Sequence, residues 1–300
     1  MPDASFAAVL PGGSPRNATG RPLRRSRSDF VVKLYTYAAL ILVSCIILVP
    51  LIATVLGGFK SLGELRTNPV GFPNHWIWEN YWGILSGVRY WRMLGNSLLI
   101  AVLTSFLTLT AASMAAFTFA HVKFFGRELL LNYFLLGLMF PAATAVLPLF
   151  IQIRDFGLLD TYWGVILPET AFGLAMSILL FRDFFRAIPR DLFEAAFVDG
   201  CGYIRFFVSV TLPLSRPILA TVAIFTFVKS WNDYLLPLIL LDSDAKYPWP
   251  LGIMVYQGEY STDWQLVLAF VTLTILPAVI VFFAAQKHIV AGLTAGAVKG

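Results

Sequence analysis

Lys229, Trp231, Asn232, Asp233 and Tyr234 stand together inside an otherwise apolar run. An amide that both donates and accepts, with two flat rings beside it, suits a polyol, which presents hydroxyls and an apolar CH face. Ionisable groups deep in a run that crosses lipid are costly unless they face a cavity or a partner, so all five are candidate contacts for a passing solute. Two other readings stand beside that one. Lys229 and Asp233 lie at i, i+4 on a helix and could neutralise each other, and the rings could pack against a neighbouring chain.

A second cluster, residues 191–213, is a charged, glycine-broken interruption between two long apolar runs. Asp191 followed by Glu194 reads as a capping box that starts a short helix over 192–199. Asp199 closes that helix, and Gly200 stops it by taking the left-handed conformation. Phe193, Ala196, Phe197 and Gly200 form one apolar stripe, while Ala195, Ala196 and Gly200 leave room for another backbone to approach closely. A second helical stretch over 203–210 is expected to end at Leu212 and Pro213, with Pro217 in the first turn of the next span. An ordinary interfacial helix needs only an apolar face, which leaves the small residues, the acidic caps and the paired glycines at fixed offsets unexplained.

Catalytic chemistry finds little support. There is no Gly-Lys-Ser/Thr phosphate loop, no Gly-x-Ser-x-Gly elbow, and His75, His121 and His288 are not at metal spacing. Cys45 and Cys201 lie far apart in different surroundings, so neither a disulfide framework nor a metal cluster is expected. No cofactor is expected on this chain.

The elements that position these residues are membrane spans. The chain has 300 residues, 58% hydrophobic and 13% charged, and its mean hydropathy is +0.75, too little polar surface for a soluble globule. The net charge of +5 is therefore read against membrane topology, and no basic domain is left over for nucleic acid. Six runs are long enough to cross a hydrocarbon core, at 34–56, 94–119, 129–151, 162–185, 218–241 and 265–285. The first could instead be a signal peptide, but it is longer than a usual apolar core of one and no small-residue cleavage site follows. Across these spans fifteen Lys and Arg fall on one side and six (Lys60, Arg66, Arg89, Arg92, Arg154, Lys246) on the other, with Lys229 inside the fifth. The positive-inside rule then puts both termini and residues 191–213 in the cytoplasm.

The expected organisation is all-α: a disordered basic tail over 1–30, a six-helix transmembrane domain over 31–290 with the interrupting loop at 189–213, and a short tail over 291–300. The outward loop 57–92 holds Trp76, Trp78, Tyr81, Trp82, Tyr90 and Trp91, which read as an interfacial belt in preference to ligand contacts, with a short helix near 78–85. Pro141, Pro148, Pro168 and Pro237 fall in or near spans, where freed carbonyls need neighbours or a wet cavity.

Glu194-Ala195-Ala196, three residues, Gly200, nine residues, Val210, one residue, then Leu212-Pro213 resembles the EAA loop of bacterial ABC importer permeases, with Val where Ile is frequent. Leu158-Leu159-Asp160-Thr161-Tyr162-Trp163-Gly164, Phe184-Phe185-Arg186-Ala187-Ile188-Pro189 and Trp231-Asn232-Asp233-Tyr234 are similar to the carbohydrate-uptake branch related to the maltose permeases, and the likeness runs from Lys33 onward. The resemblance implies a permease subunit of the plasma (inner) membrane. It also implies a distinct second permease as heterodimer partner, two ATPase subunits holding ATP and Mg, an extracytoplasmic solute-binding protein and a sugar as substrate. Asp191, Glu194, Ala195, Ala196, Asp199, Gly200, Leu212 and Pro213 would form the coupling surface. In the maltose relatives most sugar contacts are on the other permease, so the pathway role of Lys229, Trp231, Asn232, Asp233 and Tyr234 stays beside the packing reading. A secondary transporter would show paired acidic residues at midplane and an internal repeat, and neither is seen. An assembly scaffold leaves the polar fifth span unexplained.

Overall fold

The structure, a computed structural model, describes residues 27–258 and 261–297. Among them the fold is helical, with one isolated antiparallel bridge between Gln257 and Thr262. The basic tail expected before Arg27 lies outside the described residues, as do 298–300.

Helix α1 (Arg27–Gly57) contains the apolar span Val32–Gly57, of mean hydropathy 2.9. A first compact unit ends at Ala53, and a second begins at Thr54 and holds everything that follows. In the second, Ser61 caps α2 (Leu62–Thr67) by accepting from the Glu64 amide, and α3 (Glu79–Ser86) is the short helix expected in the 57–92 loop. Phe59 gathers Trp76, Trp78 and Tyr81 around it at ring distances of 4.4–5.1 Å; Tyr81 is buried there, while Trp76 and Trp78 stay exposed, as do Trp82 and Trp91. Next come α4 (Val88–His121), α5 (Arg127–Leu136) after the left-handed Gly126, and α6 (Val146–Asp155). The Thr161 hydroxyl caps α7 (Tyr162–Arg186) at the Gly164 amide. Beyond it lie α8 (Arg190–Val198), α9 (Tyr203–Phe206), α10 (Leu212–Leu214), α11 (Arg216–Trp231), α12 (Leu235–Leu240) and α13 (Trp264–Ala297).

Among the described residues three unbroken helices, Val32–Gly57, Val88–His121 and Tyr162–Arg186, are long and apolar enough to cross a membrane, and up to five spans result if each bent pair counts as one. The run expected at 129–151 is such a pair, folded by 96° between Arg127–Met139 and Ala142–Asp155. Pro141 is the cause: its ring drives the preceding Phe140 into the extended region (φ −90°, ψ 117°) and the helix cannot continue. The run expected at 218–241 stops at Trp231 and resumes only at Leu235.

Two local expectations are corrected. The capping box at Asp191 and Glu194 does not form: Pro189 occupies the cap position in extended conformation and the helix starts at Arg190, which leaves Asp191 in the first turn. There its charge complements the helix N-terminus without capping it. The second stretch does not end at Leu212 and Pro213 but runs on to Leu214 through a π-turn over Phe207–Thr211, in which Leu212 N donates to Phe207 O. That wider turn sits where Pro213 offers no amide to the ladder. The chain then bends by 80° at Ser215 into α11.

Helix α4 is the centre of the second unit, packed between α7 and α11, with α13 on the far side of α11. Sequence dictates this: Ala101, Ser105, Thr108, Ala112 and Ala116 recur every three or four residues and are all buried. With no hydrophobic drive between helices in lipid, such small side chains let backbones approach and gain van der Waals contact. Gly173 on α7 meets Thr108, where an added Cβ would lie 3.2 Å from Cγ2.

Candidate functional site

At the α4–α7–α11 contact the packing opens into a cavity of about 50 Å³. Glu169 of α7 projects there at 6% exposure; its Oε2 accepts from Thr104 Oγ1 of α4 at 3.1 Å and from Ser230 Oγ of α11. Its Oε1 has no hydrogen-bond partner among the described residues. Lys229, Asp233, Thr108 and Thr226 complete the polar lining. Glu169 was missed in the sequence, although a carboxylate in an apolar run carries the same signal as Lys229.

The five sequence candidates separate. Lys229 and Asp233 line the cavity. They form no direct ion pair among the described residues; Asp233 Oδ1 instead accepts from Leu235 N at 3.0 Å and starts α12. Trp231 is not available to a solute: at 3% exposure it stacks on Phe227 with ring centroids 5.6 Å apart. It packs within its own chain, whereas the alternative to solute contact was packing against a neighbouring one. Asn232 is exposed and bonds Val228 O at 2.8 Å, and Tyr234 is 42% exposed. Phe225, Val228, Lys229 and Asn232, at i, i+3, i+4 and i+7, thus form an exposed stripe on α11.

The break after Trp231 is held from the 242–249 loop. Trp249 Nε1 donates to the freed Trp231 carbonyl at 2.7 Å, and Trp249 N donates to Ser97 Oγ of α4 at 2.8 Å. Asp160, in the left-handed region at φ 52°, accepts from the amides of Asp242 and Ser243, from the Ser243 hydroxyl and from Lys246 Nζ at 2.7 Å. The Lys246 ammonium, followed by the Ser243 hydroxyl, holds the Asp160 carboxyl well below the usual carboxylate range. Asn96 binds the same loop at the Ala245 and Tyr247 carbonyls, while Arg89 and Arg92 pair with Asp244.

At the opposite end of α4, α8 presents Asp191, Glu194, Ala195, Asp199 and Gly200 outward. Ala196 is turned inward with Phe193, half-buried against the apolar cluster of Phe117, Phe185 and Phe206, and half-buried Phe197 packs on Phe193 and Tyr203. Leu212 is half-buried and Pro213 exposed. Cys201 N donates to Ala196 O at 2.8 Å and Gly200 N to Phe197 O at 3.0 Å, the paired bonds of a Schellman end, with Gly200 at φ 77°. The ring of His121, the last residue of α4, stacks on Phe193 at 5.3 Å and 10°, and Phe206 meets Phe193 edge-on at 5.0 Å. An aromatic joint therefore fastens α8 to a membrane helix.

A bundle of apolar helices with a buried polar cavity, and a short capped helix jointed to one end of it, defines a polytopic membrane permease. Residues 108–295 match the family of binding-protein-dependent transport system inner membrane components, and the chain belongs to that family. It is 36% identical over 263 residues to the diacetylchitobiose uptake system permease protein NgcG of Streptomyces coelicolor, covering 87% of each chain. It is 33% identical to the sulfoquinovosyl glycerol transport system permease protein SmoH of Agrobacterium fabrum, over 99% of this chain and all of that one. Identity to the maltodextrin transport system permease protein MdxG of Bacillus subtilis is 30%, over 93% of this chain and all of the relative. A subunit of a bacterial ABC transporter involved in the import of alginate shares the fold, with a TM-score of 0.76 at 23% identity over 89% of this chain and 99% of that one.

Proposed function

We propose that this chain is one of two transmembrane subunits of an ATP-driven importer for a sugar or oligosaccharide in the bacterial plasma membrane. It crosses six times, the two bent pairs counting as one span each and the apolar stretch Trp264–Ile280 of α13 as the sixth, with both termini in the cytoplasm and a domain spanning 31–290. The observation that carries the reading is the α11 stripe: Lys229 and Asn232 are exposed on a membrane helix beside a polar cavity. An exposed ammonium in hydrocarbon costs about 3 kcal/mol, so the stripe is covered by a second permease and faces the pathway between the two. The printed substrates of the relatives, diacetylchitobiose, maltodextrin and sulfoquinovosyl glycerol, support a carbohydrate. A cavity of about 50 Å³ holds water and not a sugar, as fits a pathway that opens only in the assembled transporter.

The loop at 189–213 docks in a cleft of an ATPase subunit through Asp191, Glu194, Ala195, Asp199 and Gly200, with Ala196, Leu212 and Pro213 shaping it. Two such ATPase chains bind ATP and Mg and carry out hydrolysis, this chain catalyses nothing, and a solute-binding protein delivers the sugar from outside. The test is uptake of labelled oligosaccharides by cells carrying this chain with a partner ATPase, a second permease and a solute-binding protein. Lys229→Met and Asn232→Ala are each expected to lower uptake about tenfold, the loss of one polar contact, while the ATPase still co-purifies. Uptake without ATP, or wild-type uptake by both variants, would overturn the assignment.

A further inference from the structure

Between the end of α4, the start of α5 and the end of α7 lies a second cavity, of about 610 Å³, which no step of the transport reading uses. Lys123, Arg127, Arg186 and Arg190 line it, and Glu128 is the one carboxylate among its lining residues. Glu128 is engaged by Arg127 at 2.8 Å and by Arg182 at 3.7 Å. No carboxylate lies within ion-pair distance of Lys123, Arg186 or Arg190 among the described residues. The Nε2 of His121, also in the lining, is buried without a hydrogen-bond partner among the described residues. The cavity therefore gathers four cations against one carboxylate, Glu128, whose charge is shared among Arg127, Arg182 and Arg186 and offsets only part of theirs.

Its depth is set by the helices that frame it. α4 and α7 are membrane-crossing by length and composition, and the cavity lies where both end. Phe125, fully exposed, projects from the same turn. From the cavity an apolar track leads along α5: Leu129, Tyr133 and Leu136, at i, i+4 and i+7, are 80%, 71% and 54% exposed. Over seven residues that track runs about 10 Å along the helix axis.

We propose that this cavity binds the head group of an anionic glycerophospholipid, its phosphate held by Lys123, Arg127, Arg186 and Arg190 and its acyl chains lying on the Leu129–Tyr133–Leu136 track. Basic pockets between membrane helices on the cytoplasmic side hold such head groups. The track decides between occupants. A free phosphate has no use for it, and an acidic segment of a soluble partner would not extend along a helix immersed in acyl chains. Because Arg190 opens α8 and His121 stacks on Phe193, the bound lipid also braces the root of the docking helix.

The experiment is native mass spectrometry of the purified transporter complex, with dioleoylphosphatidylglycerol or dioleoylphosphatidylcholine added at equal concentration. Wild type is expected to retain the anionic lipid about tenfold more than the zwitterionic one, as several neighbouring basic residues provide. K123Q/R127Q/R186Q lowers that retention to the zwitterionic level, and K123R/R127K/R186K keeps it. If the glutamine variant does not assemble, Leu129→Ser with Tyr133→Ser tests the track and leaves the charges in place. That pair weakens retention of dioleoyl- but not of dihexanoyl-phosphatidylglycerol. Equal retention of the two head groups by wild type overturns the proposal. So does displacement of the anionic lipid by equimolar inorganic phosphate, which marks a free-anion site. Loss of the ATPase subunit from the glutamine variant with lipid retention unchanged overturns it in favour of a protein contact.

Discussion

Glu169 concentrates the residue-scale physics. Its carboxyl joins three helices through Thr104, Ser230 and its own backbone position, with Oε1 open to the cavity. Glu169→Gln retains an acceptor for both hydroxyls and removes the acid, so the complex is expected to assemble at wild-type yield while uptake falls several-fold. Normal uptake by that variant would show the group to be structural only. Ser230→Ala and Thr104→Ala each remove one interhelical donor, at about 0.6 kcal/mol apiece. Thermal unfolding of the detergent-solubilised complex should report a small downward shift for each. How such residues read from sequence differs by type. A charge in an apolar run announces itself, and Glu169 was as legible as Lys229. A tryptophan does not reveal whether its face meets a solute or its own chain, and Trp231 proved to be packed on Phe227. The neutralising Lys229–Asp233 pair, reasonable at i, i+4, gave way because α11 ends at Trp231 and Asp233 serves the next helix.

Among elements, α8 has a C-terminus that followed directly from its residues and a start that did not. Gly200 ends it in the left-handed conformation, and a Cβ there meets nothing within 4 Å. Replacement is therefore opposed by backbone strain of about 1–2 kcal/mol and not by a clash. Gly200→Val is expected to stay in the membrane and to leave ATP hydrolysis running while uptake falls well below wild type. Gly200→Ala, without a branched Cβ, should lie between. Phe193→Ala tests the other end of the lever, since it deletes the ring that meets His121, Phe197 and Phe206 and should uncouple in the same way with Gly200 intact. What the sequence hid at this scale were backbone adjustments made by prolines in context. Pro189 took the cap from Asp191, Pro141 folded a span, and Pro213 was absorbed by a π-turn when it was expected to end a helix. The basic cavity was hidden for another reason, because its cations come from segments some sixty residues apart that only tertiary packing brings together.

For the whole molecule, the long helices need a fastening at the end away from α8, and the Asp160 clamp supplies it. Its carboxyl is held below the usual range by Lys246 and Ser243, so the charged form is the one that stabilises the fold. The contribution is complete above the unfolded carboxylate value near 4. It declines only as the pH falls from there through the lower folded value. Asp160→Asn tolerates the left-handed backbone but loses the charge. Its melting temperature is expected to fall a few degrees below wild type by the same amount at every pH from 5 to 8, with the gap closing only in strong acid. A gap that closed between pH 5 and 8 would assign the clamp to another group. The two sides of this clamp are 83 residues apart in the chain, Asp160 on one and Ser243 on the other. During synthesis Asp160 therefore emerges well before its partners, and the bundle stays unlatched until the ribosome has delivered the loop after α12. A nascent chain that stops before Lys246 therefore carries the acceptor of this clamp without its charged donor.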